Sequence, residues 1–125
     1  MKVLTDTHSL VWALSDPGSL SAQARTVLGE AEVMASVANL WELLLKTRKK
    51  DALLADPLAW WEKYVLATRI PTLGIRTGHV MALGRLPEIH KDPFDRILVA
   101  QAMVEKLPLV SKDSYLAAYG IPMIW

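Results

Sequence analysis

Five acidic side chains stand at positions where carboxylates could do chemistry. Asp6 follows the apolar run "KVLT", Glu42 lies inside "NLWELLLK", and Asp113 comes after "LPLVS". Asp92 and Asp95 open the segment "HKDPFDRILVAQAM". If these acids converge, their mutual repulsion requires a cation, and a set of oxygen donors suits Mg²⁺ or Mn²⁺. Because such an ion can activate water and stabilise a phosphodiester, the pattern predicts a metal-dependent nuclease.

Each acid also has a simpler structural interpretation. Three of them precede a predicted helix and could simply cap it, namely Asp6, Asp92 and Asp113. Asp95, three residues after Asp92, could complete a pair resembling a capping box. Glu42 could be a solvated side chain paired with Lys46, four residues further along the helix. The joint placement of the five acids, rather than any one of them, therefore carries the metal hypothesis.

Short apolar segments alternate with helical patterns, and this alternation predicts how the acids are held. The predicted strands are residues 2–6, 32–36, 70–75, 107–111 and 121–125. The predicted helices are residues 7–14, 22–31, 37–50, 57–69, 77–86, 93–106 and 112–120. We therefore predict one three-layer α/β domain over residues 1–125, with a parallel sheet of about five short strands between helices. Ligands of such sheets bind beyond the carboxyl ends of the strands, where Asp6 and Asp113 fall.

The composition excludes several kinds of site. Without cysteine the chain has no thiolate zinc site, cysteine nucleophile or disulfide. Asp6 and His8 interrupt the first apolar run, so we expect no signal peptide and no membrane span, and a soluble protein suited to the cytoplasm. The formal charge of +1 gives no general attraction for nucleic acid, so RNA binding would depend on a local basic patch.

In their order along the chain, the motifs resemble the PIN domain family, specifically the toxin branch of VapC ribonucleases. The motifs are "LTDTHSLVW", "SVANLWELLLK", "HKDPFDRILVAQA", "LVSKDSYLAAYG" and "IPMIW", so the resemblance covers nearly the whole chain. It implies an endoribonuclease dependent on Mg²⁺ or Mn²⁺, the toxin of a type II toxin-antitoxin pair, which hydrolyses RNA with a metal-activated water. It also implies a homodimer and a small antitoxin partner whose segment covers the acidic crevice.

The same resemblance assigns roles to particular residues. The family's four catalytic and metal-binding acids would be Asp6, Glu42, Asp95 and Asp113. Asp6 and Asp95 would be the principal metal ligands, and Asp92 would cap its helix and support the site. Ser111 would lie beside the last acid, and Asn39 stands where this branch often has Ser. The segment "RKKDALLADP" departs from the family's Gly-Lys-Leu pattern. The family's substrate rim is therefore not carried over to this segment in detail.

Basic residues near these motifs could contact the phosphates of RNA. The candidates are Lys46, Arg48, Lys49, Lys91 and Arg96. Cations in "KTRKK" could equally complement the negative end of a helix dipole. His8 and His90 are interpreted as packed or hydrogen-bonded residues rather than catalytic bases. Of the adjacent Trp60 and Trp61, which point about 100° apart on a helix, one is expected to be exposed or at an interface.

Two other functions fit parts of the pattern. A phosphatase of the haloacid-dehalogenase type would use Asp6 as nucleophile, but it needs a second acid two residues later, where this chain has His8. A PIN-like module could instead bind RNA or a protein without cutting, although the intact acid set argues against that function. Cleavage of RNA in Mg²⁺, Mn²⁺ or EDTA, with Asp6→Asn and Asp95→Asn for comparison, would separate the three.

Overall fold

A parallel sheet of five strands forms the centre of the computed structural model, which describes residues 1–125. The strands are β1 (Lys2–Thr5), β2 (Glu32–Ser36), β3 (Thr72–Leu73), β4 (Leu109–Val110) and β5 (Met123–Ile124). Their order across the sheet is β3-β2-β1-β4-β5. In the central pairings Leu4 is in register with Met34 on one side and with Leu109 on the other. The predicted α/β architecture is therefore confirmed.

Six α-helices connect and cover these strands. They are α1 (Thr7–Ser15), α2 (Ala22–Glu30), α3 (Val37–Leu45), α4 (Pro57–Trp61), α5 (Thr77–Gly84) and α6 (Pro93–Glu105). The residues Glu62–Leu66 continue α4 as a π-helical turn, and 3₁₀ turns span Pro17–Ser19 and Ser114–Tyr119. None of the helices combines the length and apolarity that a crossing of a lipid bilayer would need.

Several element ends differ from the predicted ones. Helix α3 ends at Leu45 instead of residue 50, and its C-cap, Lys46, contacts Glu42 and Asp92. The helix expected over residues 57–69 is regular only to Trp61 before it widens into the π turn. The expectation that one of Trp60 and Trp61 is exposed is wrong, because both are buried in one hydrophobic cluster.

Apolar side chains fill both faces of the sheet. One cluster packs α6 against β1 and β4, with Leu4, Leu98 and Leu109 fully buried. The opposite cluster contains Leu10 of α1 and Trp60 of α4. Burying a leucine side chain contributes about 1.5–3 kcal/mol, so these contacts fix the helices firmly on the sheet. This packing fixes α6 on the sheet, and with it the first turn of the helix, which carries Asp95.

Candidate active site

An acidic cavity of about 390 Å³ opens at the carboxyl ends of β1 and β4. Its lining residues come from the starts of α1 and α6, the second half of α3 and the segment after β4. They are Asp6, Thr7, His8, Trp12, Glu42, Lys46, Asp92, Asp95, Lys112 and Asp113. All four acids of the predicted quartet thus lie on one cavity, together with Asp92. Asn39 and Ser111 are buried next to it and contact its walls.

Asp6 joins the end of β1 to β4 at the bottom of the cavity. Its backbone N–H donates to the Val110 carbonyl at 3.0 Å, which continues the pairing of β1 with β4. Its Oδ2 accepts from the Ser111 hydroxyl at 2.6 Å, and its Oδ1 accepts from the Ser9 backbone N–H at 2.9 Å. Burial raises the pKa of Asp6, and the hydrogen bonds from Ser111 and Ser9 oppose that rise. Asp6 is therefore both the N-cap of α1 and an acid of the cavity.

Glu42 is held in place by a chain of buried hydrogen bonds. The Thr7 hydroxyl donates to Glu42 Oε1, and Asn39 Nδ2 donates to Thr7 Oγ1 at 3.2 Å and to the Thr5 carbonyl at 3.3 Å. Asn39 Oδ1 accepts from the Ser36 backbone N–H at 2.7 Å, which closes a capping box at the start of α3. Asn39 thus orients Thr7, and Thr7 orients Glu42. Thr7 was not among the predicted site residues.

The Lys46 ammonium closes the Glu42 side of the cavity. It forms a salt bridge with Glu42 Oε2 and lies 3.4 Å from Asp92 Oδ2. Burial alone would lower the pKa of Lys46, but the hydrogen bond and charge of Glu42, followed by those of Asp92, outweigh burial and raise it. The predicted pairing of Glu42 with Lys46 is present, although Glu42 is buried rather than solvated.

Asp92 caps α6, as its position before Pro93 predicts. Its Oδ1 accepts from the backbone N–H groups of Phe94 at 2.8 Å and Asp95 at 3.1 Å. Pro93 occupies the first helical turn, where its missing N–H costs nothing. Asp92 therefore uses one oxygen for the helix and the other for Lys46.

Asp95 differs from the other acids because its carboxylate accepts no side-chain or backbone hydrogen bond. The His90 Nε2 lies 3.8 Å from its Oδ2. Burial, followed by the charges of Asp92, Glu42 and Asp6, raises the pKa of Asp95 to about 7. This carboxylate is partly buried among other acids and has no hydrogen-bond donor. A cation would therefore be stabilised most strongly at this position.

His90 and Asp113 form a hydrogen-bonded pair beside Asp95. The backbone N–H of Asp92 donates to His90 Nδ1 at 3.1 Å, so the proton of the neutral ring is on Nε2. That Nε2–H donates to Asp113 Oδ2 at 3.0 Å, while Asp113 Oδ1 accepts from the Tyr115 backbone N–H at 3.0 Å. His90 is thus a donor to the acidic cluster, consistent with the hydrogen-bonded role predicted for it, but its contact with Asp113 was not predicted.

These three side chains are close enough to surround an ion. One ligand atom each from His90, Asp95 and Asp113 lie within 4.8 Å of one another. Because His90 Nε2 carries a proton in this arrangement, the group offers two carboxylates rather than a nitrogen ligand. Asp6 lies on the same cavity, so all the available donors are oxygens, which fit Mg²⁺ or Mn²⁺ better than zinc.

The basic residues predicted to bind RNA are placed differently from one another. Lys46 lines the acidic cavity, and Lys49 lines a neighbouring cavity of about 140 Å³ that shares Lys46 with it. Arg48 and Lys91 are exposed and line neither cavity. Arg96 also lies outside both.

Arg96 does not line the acidic cavity, whereas Lys112 does. Arg96 Nη1 donates to the Pro87 carbonyl at 2.9 Å and to the Tyr119 hydroxyl at 3.2 Å, so it supports the loop before α6. Lys112, which was not predicted, lines the acidic cavity. Its position in "SKD", directly before Asp113, was the signal in the sequence that could have identified it.

Known proteins share both the sequence pattern and the fold. The model of the PIN domain family matches residues 3–122. Ribonuclease VapC22 of Mycobacterium tuberculosis is 31% identical over 122 residues, which cover 96% of this chain and 93% of that protein. A chain in the crystal structure of DNA-bound VapBC from Salmonella typhimurium has a TM-score of 0.71 at 18% identity, covering 98% of this chain and 96% of that one. VapBC2 from Rickettsia felis, bound to a DNA fragment from their promoter, gives a TM-score of 0.70 at 13% identity, covering 98% and 97%.

Proposed function

Because this chain belongs to the PIN domain family, we propose that it is a metal-dependent endoribonuclease and the toxin of a type II toxin-antitoxin pair. The observation that carries the proposal is the convergence of Asp6, Glu42, Asp95 and Asp113 on one cavity. The likeness to a protein named as a ribonuclease supports the choice of RNA as the substrate.

Asp6, Asp95 and Asp113 would hold a Mg²⁺ or Mn²⁺ ion. The carboxylate of Asp95 accepts no hydrogen bond, so it is the ligand that a cation would stabilise most. Asp113 is already oriented by His90, and Asp6 is already oriented by Ser111. When bound, such an ion supplies a water of lowered pKa and offsets negative charge on the scissile phosphate. Glu42 would complete the site from the side that Thr7 and Lys46 hold.

The cations around the cavity would position the RNA backbone. Lys112 lines the cavity itself, and Lys49 lies beside it, so both can reach phosphates near the acidic cluster. Arg48 and Lys91 are exposed and would contact phosphates further from the reacting bond. Such contacts fix the register of the strand without reading its sequence.

We also propose that the protein works as a homodimer and with an antitoxin, in the cytoplasm where its substrate RNA would be found. Two of the similar structures are named as a toxin-antitoxin complex and as a member of a family of toxin-antitoxin systems. The outer face of α3 exposes four large apolar side chains, which is a surface that a partner protein would cover. They are Val37, Trp41, Leu44 and Leu45.

Incubation of the purified protein with a labelled RNA pool tests the proposed activity. We expect cleavage with Mg²⁺ or Mn²⁺, none with EDTA, and a loss of at least about 100-fold in Asp6→Asn and Asp95→Asn. Glu30→Gln, which changes an exposed acid at the end of α2, is the matched control and should cleave normally. Cleavage that survives EDTA would contradict the metal-dependent mechanism. Metal binding without cleavage of any RNA would favour the non-catalytic binding module.

A further inference from the structure

The Lys46 ammonium contacts one acid of the predicted quartet, Glu42. Lys46 is the C-cap of α3 and lies one turn after Glu42, so its stem runs along the cavity wall. Its ammonium contacts Glu42 and Asp92, which come from two different helices. It also lies 5.8 Å from the centre of the Phe94 ring. The ammonium is therefore fixed from several directions rather than free in solvent.

Each oxygen of the Glu42 carboxylate has a partner. Its Oε1 accepts from the Thr7 hydroxyl, and its Oε2 contacts the Lys46 ammonium. An ion that used Glu42 as a direct ligand would have to approach the positive charge of Lys46 at close range. Asp95 and Asp113, on the other side of the cavity, form no salt bridge with a lysine and are paired only with His90.

The charge of the cavity also favours a single ion. Five carboxylates and two lysines line it, so with every carboxylate ionised the cavity carries an excess of three negative charges. One divalent ion reduces this excess to one negative charge, whereas a second ion would make the cavity net positive. With Lys46 in place, the protein already supplies the charge compensation that a second ion would bring.

We propose that the Lys46 ammonium is a built-in counter-cation that occupies the Glu42 side of the cavity, so that the site takes one divalent ion on the Asp6, Asp95 and Asp113 side. This inference rests on the proposed function, since it assumes that the cavity binds a metal. It makes Lys46 a positioning residue, which acts through Glu42 and on the number of ions bound, rather than a contact for RNA.

Binding of Mn²⁺ in the absence of RNA, followed by electron paramagnetic resonance of the free ion, tests the inference. We expect one Mn²⁺ per chain for the wild type and for Lys46→Arg, which keeps the charge. In Lys46→Met, which keeps an apolar stem against Phe94, we expect either a second Mn²⁺ or about tenfold tighter binding of the first, because a nearby positive charge is removed. Adding Glu42→Gln to Lys46→Met should abolish that gain.

The possible results separate this inference from the proposed function. Two Mn²⁺ ions in the wild type would overturn the inference but leave the metal-dependent nuclease intact. Unchanged stoichiometry and affinity in Lys46→Met would also overturn it and would leave Lys46 as a phosphate contact. No binding of Mn²⁺ by the wild type or by either variant would overturn the proposed function and the inference together. Thermal unfolding of each variant, compared with the wild type, verifies that the proteins are folded under the titration conditions.

Discussion

His90 donates its Nε2–H to Asp113 Oδ2 at 3.0 Å, and the pair connects the loop before α6 to the segment after β4. The Asp92 backbone N–H fixes the tautomer by donating to Nδ1 of the same ring. The residue that caps α6 through its side chain thus also determines, through its backbone, which atom of His90 faces the acidic cavity. Asp113, after β4, is consequently held next to the loop that leads into α6.

Replacing His90 should weaken metal binding through Asp113. We expect His90→Ala to lower the affinity for Mn²⁺ by about 10- to 100-fold, since partners that orient a ligand have effects of that size. His90→Gln, whose amide N–H can still donate, should retain more of the affinity. Calorimetric titration of both variants with Mn²⁺ provides the measurement. Equal losses in the two variants would show that the donated hydrogen bond is not the cause.

Ser111 should contribute to the stability of the fold through its hydrogen bond to Asp6. Its hydroxyl donates to the buried Asp6, so Ser111→Ala removes a donor and further raises the pKa of that carboxyl. The loss of a hydrogen bond to a buried acid costs about 1–3 kcal/mol of the free energy of unfolding. Urea unfolding at pH 7, with the exposed Ser114→Ala as control, measures this cost. A change below the experimental error would mean that Asp6 finds another donor.

Local sequence signals predicted the positions of the site residues along the helices better than they predicted the contacts between those residues. "DPFD" identifies the start of α6, because Asp caps the helix and Pro occupies its first turn, so the positions of Asp92 and Asp95 followed directly. The contact of His90 with Asp113 joins residues 23 positions apart, and no local pattern encodes such a pairing. The order of the strands brings them together, and that order was not deducible from the apolar spacing.

The run "KTRKK" shows why helix ends are difficult to assign from spacing. Its long side chains are good helix formers, and its charges suit the negative end of a helix dipole, so the sequence predicts a helix to residue 50. Helix α3 ends at Leu45, and Lys46 turns its ammonium to Glu42 and Asp92 instead. The attraction of Asp92 depends on tertiary structure and therefore could not be derived from the helix alone.

The affinity for Mn²⁺ should rise with pH up to neutrality. The pKa of Asp95 is about 7, so below that pH the metal-free carboxyl is largely protonated and must release a proton when an ion binds. We expect the affinity to fall by about tenfold for each pH unit below 7 and to change little above it. Titrations at pH 5.5, 6.5 and 7.5 measure this slope. In Asp95→Asn, which carries no titrating carboxyl at this position, the slope should be much shallower, and a slope equal to the wild type's would assign the proton to another group.

A second cluster, at the opposite end of α6, should make stability depend on acid pH. The Arg76 backbone N–H donates to His79 Nδ1 at 3.0 Å, so the proton of the buried His79 ring is on Nε2, 3.1 Å from Glu105 Oε2. The hydrogen bond from His79, followed by that from Arg76, lowers the pKa of Glu105. Because the unfolded chain binds a proton at higher pH than the folded one, this contact stabilises the fold above the unfolded pKa, and the contribution is lost as pH falls through the folded pKa.

Glu105→Gln should therefore be less stable than the wild type at pH 6, and the difference should shrink towards pH 3. Urea unfolding at these two pH values measures it, and Glu88→Gln, which removes an exposed acid without a salt bridge, is the matched control. Cleavage of RNA at neutral pH should be retained, because Glu105 lies at the other end of α6 from Asp95. A stability difference that is constant between pH 3 and pH 6 would show that packing, rather than the charge of Glu105, holds α5 against α6.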